Sequence, residues 1–384
     1  MADNYTIYTP ESYTVDLSKI ALNRRPGVSG IMRVRNDGEF IEMSIESCID
    51  ALDELIIVYN DCTDDSPAII EKICQRYPDK IKVYAYKPHI LAWNLSDKQI
   101  SDIMDGSIPM ENTLAGYCNY ALSKTTCEYV LKIDADQIYN TSQMISLCNC
   151  YRCSSADGHL SLKKHIFLWL TKILLTLSIK SHIGLRLLRN KKYISYYQKC
   201  LLEYIKKDKV TISLSGINVI VVDATIYVPL GQRLQGGFNI LGPFNGVGDT
   251  CIFRVTDKTH FKPIVDEAYN MLIGGKKNVI ETFCGKERSW AYCTPIWLHL
   301  NACRKNIWAK TLESFRKYKE KYISFDDFVE SDYRVVIRNT DDEVFSKQTQ
   351  IYFGSIFAGI TPDISKYFRN LAKTIQNKIF DRLY

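Results

Sequence analysis

The chain has 384 residues, 24% of them charged and 46% in the hydrophobic class. This is a globular composition, and it excludes disordered, collagen-like and low-complexity chains. The net charge of +6 is concentrated, because residues 161–209 hold twelve Lys/Arg against two acids, a local +10 that leaves −4 for everything else.

That imbalance argues against a general nucleic-acid binder and for one local patch that meets an anionic surface. Thirteen cysteines are an odd number, and the polar start Met1-Ala2-Asp3-Asn4-Tyr5 has no basic segment ahead of an apolar run. No secretory leader and no disulfide framework are predicted, and a reducing, cytoplasmic setting is expected. No apolar stretch reaches the roughly 18 residues of a membrane span.

After an N-terminal extension of residues 1–28, residues 29–36 read as a buried strand and 38–51 have helical spacing. Glu54-Leu55-Ile56-Ile57-Val58-Tyr59 is an apolar strand running into Asn60-Asp61-Cys62-Thr63-Asp64-Asp65-Ser66. A helix over 67–77 follows, with Ser66 as its predicted N-cap. Residues 81–86 are a third strand, 87–112 are less regular, and a helix is predicted over 113–123. The fourth strand, 128–133, ends in Asp134-Ala135-Asp136. Such alternation predicts an α/β fold with a parallel, helix-covered sheet, whose ligands bind at the carboxyl ends of the strands. A basic helical insert spans 158–209. Strand-like patterning resumes at 210–222 and 250–255, with Gly-rich loops between. Residues 311–384 are expected to be helical, and Ile364, Phe368, Leu371, Ile375, Ile379 and Leu383 fall on one face of an amphipathic helix.

Two carboxylates one residue apart at a strand end, Asp134 and Asp136, can share Mg²⁺ or Mn²⁺, which prefer oxygen ligands and complete their shells with phosphate and water. The tripeptide alone is common and equally describes solvated loop acids; its place after a Rossmann-like series is what singles it out. The cluster 60–65 can hydrogen-bond a base and ribose, or form an Asx turn that caps the next helix. Cys148, Cys150 and Cys153 lack a second ligand pair and read as thiols rather than a zinc site.

Taken together, Arg33-Val34-Arg35-Asn36, Val58-Tyr59-Asn60-Asp61-Cys62-Thr63-Asp64 and Leu131-Lys132-Ile133-Asp134-Ala135-Asp136-Gln137-Ile138-Tyr139 resemble a bacterial GT-A glycosyltransferase. The resemblance is nearest to β-1,4-N-acetylgalactosaminyltransferases of lipooligosaccharide synthesis and to capsule or O-antigen hexosyltransferases. Gly116-Tyr117-Cys118-Asn119 is similar to the Ala-Arg-Asn helix of family 2 enzymes, with Cys118 at the arginine position. The likeness is carried by residues 29–140 and, more thinly, by 210–305.

It implies a GT-A fold with a nucleotide-sugar half over 29–157 and an acceptor half over 210–310. It also implies transfer of a sugar from a nucleotide donor, usually UDP, to a glycan acceptor. Asp61 would hold uracil or ribose, with Arg33, Asn36 and Asn119 lining the nucleotide site. Asp134 and Asp136 would carry the metal and diphosphate, and His299 resembles a C-terminal histidine near the metal, although beside Trp297 it also reads as a core residue. Inversion, the expected outcome, needs a carboxylate base, for which Asp249 and Glu287 are the candidates.

The insert reads either as an interfacial helix pair, with Trp169, Leu170, Ile173, Leu174 and Leu177 entering an anionic membrane surface, or as a packed lid with a solvated basic face. The expected acceptor is a lipid-linked glycan at the inner face of the membrane. The tail helix reads as a second anchor, a homodimer contact or ordinary packing. The alternatives are a nucleotidyl enzyme on a similar sheet, for which no Gly-rich, Lys-containing phosphate loop is found, and a degenerate scaffold that binds glycan or membrane.

Overall fold

In a computed structural model, residues 7–8, 12–155, 159–223, 225–233, 240–246, 251–265, 277–285, 289–331 and 347–383 are described. The chain divides into two compact units. The first comprises Met1–Gln137, Met144–Arg152 and Cys251–Ser289; the second comprises Ile138–Gln143, Cys153–Thr250 and Trp290–Tyr384.

The first unit is built on β1 (Ile7–Tyr8), β2 (Arg25–Val34), β3 (Glu54–Asn60), β4 (Ile81–Tyr86), β5 (Cys127–Asp134) and β6 (Cys251–Arg254). Their order across the sheet is β1-β4-β3-β2-β5-β6, parallel except for the β5–β6 pair. A hairpin of β7 (His260–Val265) and β8 (Val279–Cys284) completes it. The helices are α1 (Ile41–Cys48), α2 (Ser66–Arg76), α3 (Asp97–Met104), α4 (Leu114–Ser123) and α5 (Thr141–Arg152). The central strands are nearly continuous Ile, Leu and Val because a parallel sheet is covered on both faces. One layer joins Ile31, Ile56, Val58 and Val130 to Ala115, Tyr117, Cys118 and Ala121 of α4. On α1 and α2, Ile45, Cys48, Ile70 and Ile73 are likewise fully buried or nearly so.

Two local details depart from expectation. Helix α2 begins one residue earlier than expected: its N-cap is Asp65, and Ser66 sits inside, where its backbone N–H donates to Asp64 Oδ1 (3.0 Å) and its hydroxyl accepts from Asp37 N–H (2.9 Å). Helix α3 lies in the stretch read as irregular. Its signal is the reciprocal capping box of Ser96 and Gln99. At the start of α4 only glycine fits position 116, since a Cβ there would stand 1.9 Å from the Met110 carbonyl oxygen.

The opposite end of the sheet is held by one buried carboxylate. Glu54 is 1% exposed and accepts from Ser29 Oγ (2.6 Å), Thr126 N–H (2.5 Å) and Lys82 Nζ (3.2 Å). Burial alone would raise its pKa, but these donors outweigh burial and hold it below the usual carboxylate value. A depressed folded-state pKa means stability that is present above the unfolded value, about 4.3, and lost as pH falls through the folded one. Glu54→Gln is therefore expected to lower unfolding free energy by about 1–3 kcal/mol at neutral pH, with the gap to wild type closing below about pH 4. Urea titrations of both proteins from pH 7 to pH 3 check this, and a pH-independent gap would contradict it.

In the second unit, helices α6 (Leu162–Ser181) and α7 (Lys191–Asp208) form an antiparallel pair. Strands Gly216–Asn218, Trp297–His299 and Phe244–Asn245 belong to a small mixed sheet. Helices α8 (Lys305–Lys317), α9 (Lys347–Ala358) and α10 (Pro362–Leu383) follow. On α10, Phe368 and Ile375 are fully buried, so the expected apolar face packs against this unit at these positions. None of the 13 cysteines forms a disulfide. Cys148 and Cys150 are buried in α5, where burial pushes the Cys148 thiol up to about 12.

Candidate active site

Parallel pairing brings the predicted residues of the first unit to one edge. In register across β2 and β5, Arg33 stands beside Asp134, and on its other side Arg33 faces Val58 of β3. Neighbouring strands lie about 4.8 Å apart, so the guanidinium and the first carboxylate of Asp134-Ala135-Asp136 share one strand-end neighbourhood. Asp134 is half-buried; its Oδ2 accepts from Gln137 Nε2 (3.0 Å), and its backbone carbonyl accepts from Ser44 Oγ (3.1 Å). Asp136 is 4% exposed.

Arg33 is locked from the other side. Its guanidinium meets Glu281 Oε1 of β8 at 2.8 Å, and Lys132 Nζ of β5 approaches the same oxygen at 3.4 Å. The three side chains are 17%, 10% and 11% exposed for Arg33, Glu281 and Lys132 respectively. Burial opposes the charge on Arg33, but the fields of the Glu281 and Asp134 carboxylates outweigh it and hold the guanidinium well above its ordinary pKa. Cys118, where the resemblance places arginine, is buried, and burial pushes its thiol far up. Beside it, the Tyr117 hydroxyl donates to the Val58 carbonyl at 2.5 Å and accepts from Val34 N–H at 3.3 Å, tying α4 to the ends of β2 and β3. Sequence reading missed Glu281 and Lys132. Lys132 had a signal, a lysine inside an otherwise apolar strand; Glu281 had none, because its meaning depends on the hairpin reaching Arg33.

At the ends of β2 and β3 the backbone turns through two left-handed residues that are not glycine, Asn36 (φ 59°) and Asp61 (φ 45°). Asn and Asp tolerate that region best, and such positions cluster at functional sites. Asn36 Oδ1 accepts from Thr63 N–H (2.7 Å), which fixes the loop. The Asp61 carboxylate is 40% exposed, and its Oδ2 lies 3.4 Å from His89 Nδ1. Asp64 serves the helix, accepting from Ser66 and Gly38 backbone N–H groups. The turn-and-cap reading of this cluster thus holds at Asp64, and the Asp61 carboxylate is left exposed at the strand end. Buried Asn60 donates to the Tyr86 and Pro88 carbonyls, while its Oδ1 has no hydrogen-bond partner.

Asn119 is committed at both ends. Its Nδ2 donates to the Phe261 carbonyl (2.8 Å), and its Oδ1 accepts from Phe261 N–H (2.7 Å). The amide anchors the hairpin to α4, so this residue shapes the site from behind.

His299 belongs to the second unit. Its Nδ1 lies 2.7 Å from Asn218 Oδ1, and Asn218 Nδ2 donates to the Gly242 carbonyl (2.8 Å). With an oxygen as partner, Nδ1 carries the proton, and Nε2 is the acceptor nitrogen, the tautomer of a metal-ligating histidine. Asp249 and Glu287 lie outside the described residues.

Among the described residues no group of three or more His, Cys, Asp or Glu converges as a metal cage. Asp134 and Asp136 nevertheless fit a Mg²⁺- or Mn²⁺-type site, because such ions are commonly held by one or two carboxylates plus substrate phosphates and water.

Against known proteins, residues 19–153 match the family model described as beta-1,4-N-acetylgalactosaminyltransferase (CgtA). That stretch contains every candidate site residue placed above at the sheet edge except Glu281. No curated protein matches the chain. Among solved structures, the chain is similar to glucosyl-3-phosphoglycerate synthase from Mycobacterium tuberculosis, a complex with Mn²⁺, uridine diphosphate and glucosyl-3-phosphoglycerate. Identity is 17% over 35% of this chain and 43% of that one, with a TM-score of 0.20. The match thus spans less than half of that protein, and at this TM-score it carries no argument. The sequence match stands by itself: residues 19–153 are similar to the glycosyltransferases that the CgtA family model describes.

Proposed function

We propose that this protein is a metal-dependent glycosyltransferase that moves a hexose or N-acetylhexosamine from a UDP-sugar to a lipid-linked glycan, with inversion, in bacterial surface polysaccharide synthesis. It would act at the cytoplasmic face of the membrane, with residues 29–157 as the donor half and 210–310 as the acceptor half. The observation that carries this reading is the Asp134-Ala135-Asp136 strand end lying in register with the buried Arg33–Glu281 pair, inside the stretch that matches the family model.

In this reading Asp134 and Asp136 would hold Mn²⁺ or Mg²⁺, and the chemistry such an ion would supply there is charge neutralisation at a nucleoside diphosphate leaving group. Arg33, held charged by Glu281 and Asp134, supplies fixed positive potential beside the diphosphate, where preorganised charge acts without reorganisation. Exposed Asp61 accepts from uracil or ribose, and Asn36 shapes the loop that presents it. Asp249 and Glu287 are the candidate bases that take the acceptor proton as its oxygen attacks the anomeric carbon. A scaffold without catalysis is the alternative reading, and metal-dependent donor hydrolysis separates the two.

The test is thermal denaturation of the full chain with a panel of nucleotides and nucleotide sugars, with and without Mn²⁺. A ligand at 100 times its Kd adds about 2.7 kcal/mol. UDP and one or more UDP-sugars should raise Tm in Mn²⁺ and far less in chelator. Equal indifference to every nucleotide would sink the proposal.

A further inference from the structure

Helix α6 is folded inside out. Its fully buried positions are Leu168, Thr171 and Ser178, two of the three polar. Thr171 Oγ1 shares a hydrogen bond with Tyr193 Oη of α7 (2.6 Å), and Lys164 pairs with Glu203 of α7 (2.7 Å). The solvent side is apolar instead. Leu162 (73%), Ile166 (49%), Trp169 (44%), Leu170 (54%), Ile173 (48%) and Leu177 (55%) are all exposed. At 100° per residue these six fall within about a third of the helix circumference and run about 22 Å along its axis. The connection to α7 extends the stripe with exposed Ile183 and Leu187. An apolar patch of this extent marks a surface that meets something.

Helix α7 has the ordinary polarity. It buries Ile194, Tyr197, Leu201 and Tyr204, and its Tyr197 Oη donates to the Ala291 carbonyl (3.0 Å). Its outward line is basic: Lys192, Lys199 and Lys206 recur every seven residues and are exposed. Lys163, Lys180 and Arg186 add exposed cations along α6 and its end. Leu174, expected in the apolar face, is half-buried, and Lys172 is folded back over the Trp290 ring at 4.1 Å. No described helix is long and apolar enough to cross a membrane.

We propose that the α6–α7 hairpin is a membrane-docking element: the outward stripe of α6 enters the headgroup boundary of an anionic lipid surface, and the basic line of α7 meets its phosphates. Charge complementarity selects this occupant, because a second copy of the chain would bring a second strongly basic hairpin against the first. The apolar stripe beside a Lys/Arg-rich line is the pattern of helices that lie in the interface plane. The inference stands apart from the donor-site reading, and its assay contains no nucleotide.

The experiment is co-sedimentation of the full chain with phosphatidylglycerol-rich vesicles and with pure phosphatidylcholine vesicles. Wild type should sediment with the anionic vesicles only. Ile173→Glu/Leu177→Glu should lose at least about tenfold in partitioning. Lys192→Glu/Lys199→Glu/Lys206→Glu should lose more, since each basic residue near such a surface contributes about fivefold. All these positions are exposed, so circular dichroism and Tm should not change. Trp169 emission should shift to the blue on anionic vesicles, a change absent in Trp169→Phe. Wild type remaining in the supernatant would overturn the proposal. So would full binding by Ile173→Glu/Leu177→Glu, or a dimer that this pair of substitutions dissolves while vesicle binding is nil. In the last case a second copy covers the stripe.

Discussion

Asp136→Asn should abolish Mn²⁺-dependent stabilisation by UDP and lower sugar-transfer kcat by about 10³-fold or more. The magnitude follows from several kcal/mol of charge stabilisation at the leaving group, with each 1.36 kcal/mol worth a factor of ten in rate. Asparagine keeps the volume of a side chain that is only 4% exposed and removes its charge. Asp134→Asn should act in the same direction, with an added effect from the altered contact to Gln137 Nε2. If Asp136→Asn still transfers sugar within tenfold of wild type, and UDP still stabilises it in Mn²⁺, the carboxylate pair is not the metal site. Loss of transfer alone, with UDP stabilisation intact, would instead assign Asp136 to the sugar or acceptor.

The sheet of the first unit was legible because its signals are local. A run such as Glu54–Tyr59 can only be a strand covered on both faces, and acids placed just after it can only lie at the carboxyl end. Strand order and register then bring Arg33 to Asp134 without further information. What could not be read was the chemistry made by distant segments. Glu281 is one acid in an unremarkable strand until the hairpin carries it to Arg33. Asn119, a residue of the helix that resembles a nucleotide-site motif, is instead occupied at both ends by Phe261.

Helix α6 was legible in part: of the residues expected on an outward apolar face, Trp169, Leu170, Ile173 and Leu177 are exposed and Leu174 is half-buried. Composition shows that 162–179 is apolar and basic, but which side faces water depends on Thr171 and Ser178 finding partners inward. Helix α3 was legible and overlooked, because Ser96 and Gln99 spell a capping box over a stretch with little apolar periodicity.

Glu281→Ala should destabilise the first unit by about 3 kcal/mol, because it removes the anion shared by two largely buried cations. Arg33 and Lys132 both point at Glu281 Oε1, at 2.8 and 3.4 Å. Arg33 cannot shed its charge, because a guanidinium stays protonated in proteins. Glu281→Gln keeps the hydrogen-bond acceptor and loses the charge, so it should fall between wild type and alanine. The discriminating comparison is the double variant. Arg33→Met in the Glu281→Ala background removes one stranded cation and should recover part of the loss, whereas two unrelated packing defects would add. Urea unfolding of the four proteins at neutral pH measures this. Simple additivity, or a Glu281→Ala cost below about 1 kcal/mol, would mean that water screens the cluster. If coupling is found, UDP affinity should fall together with stability in Glu281→Ala, since the same carboxylate that neutralises Arg33 also aims it at the strand end occupied by Asp134.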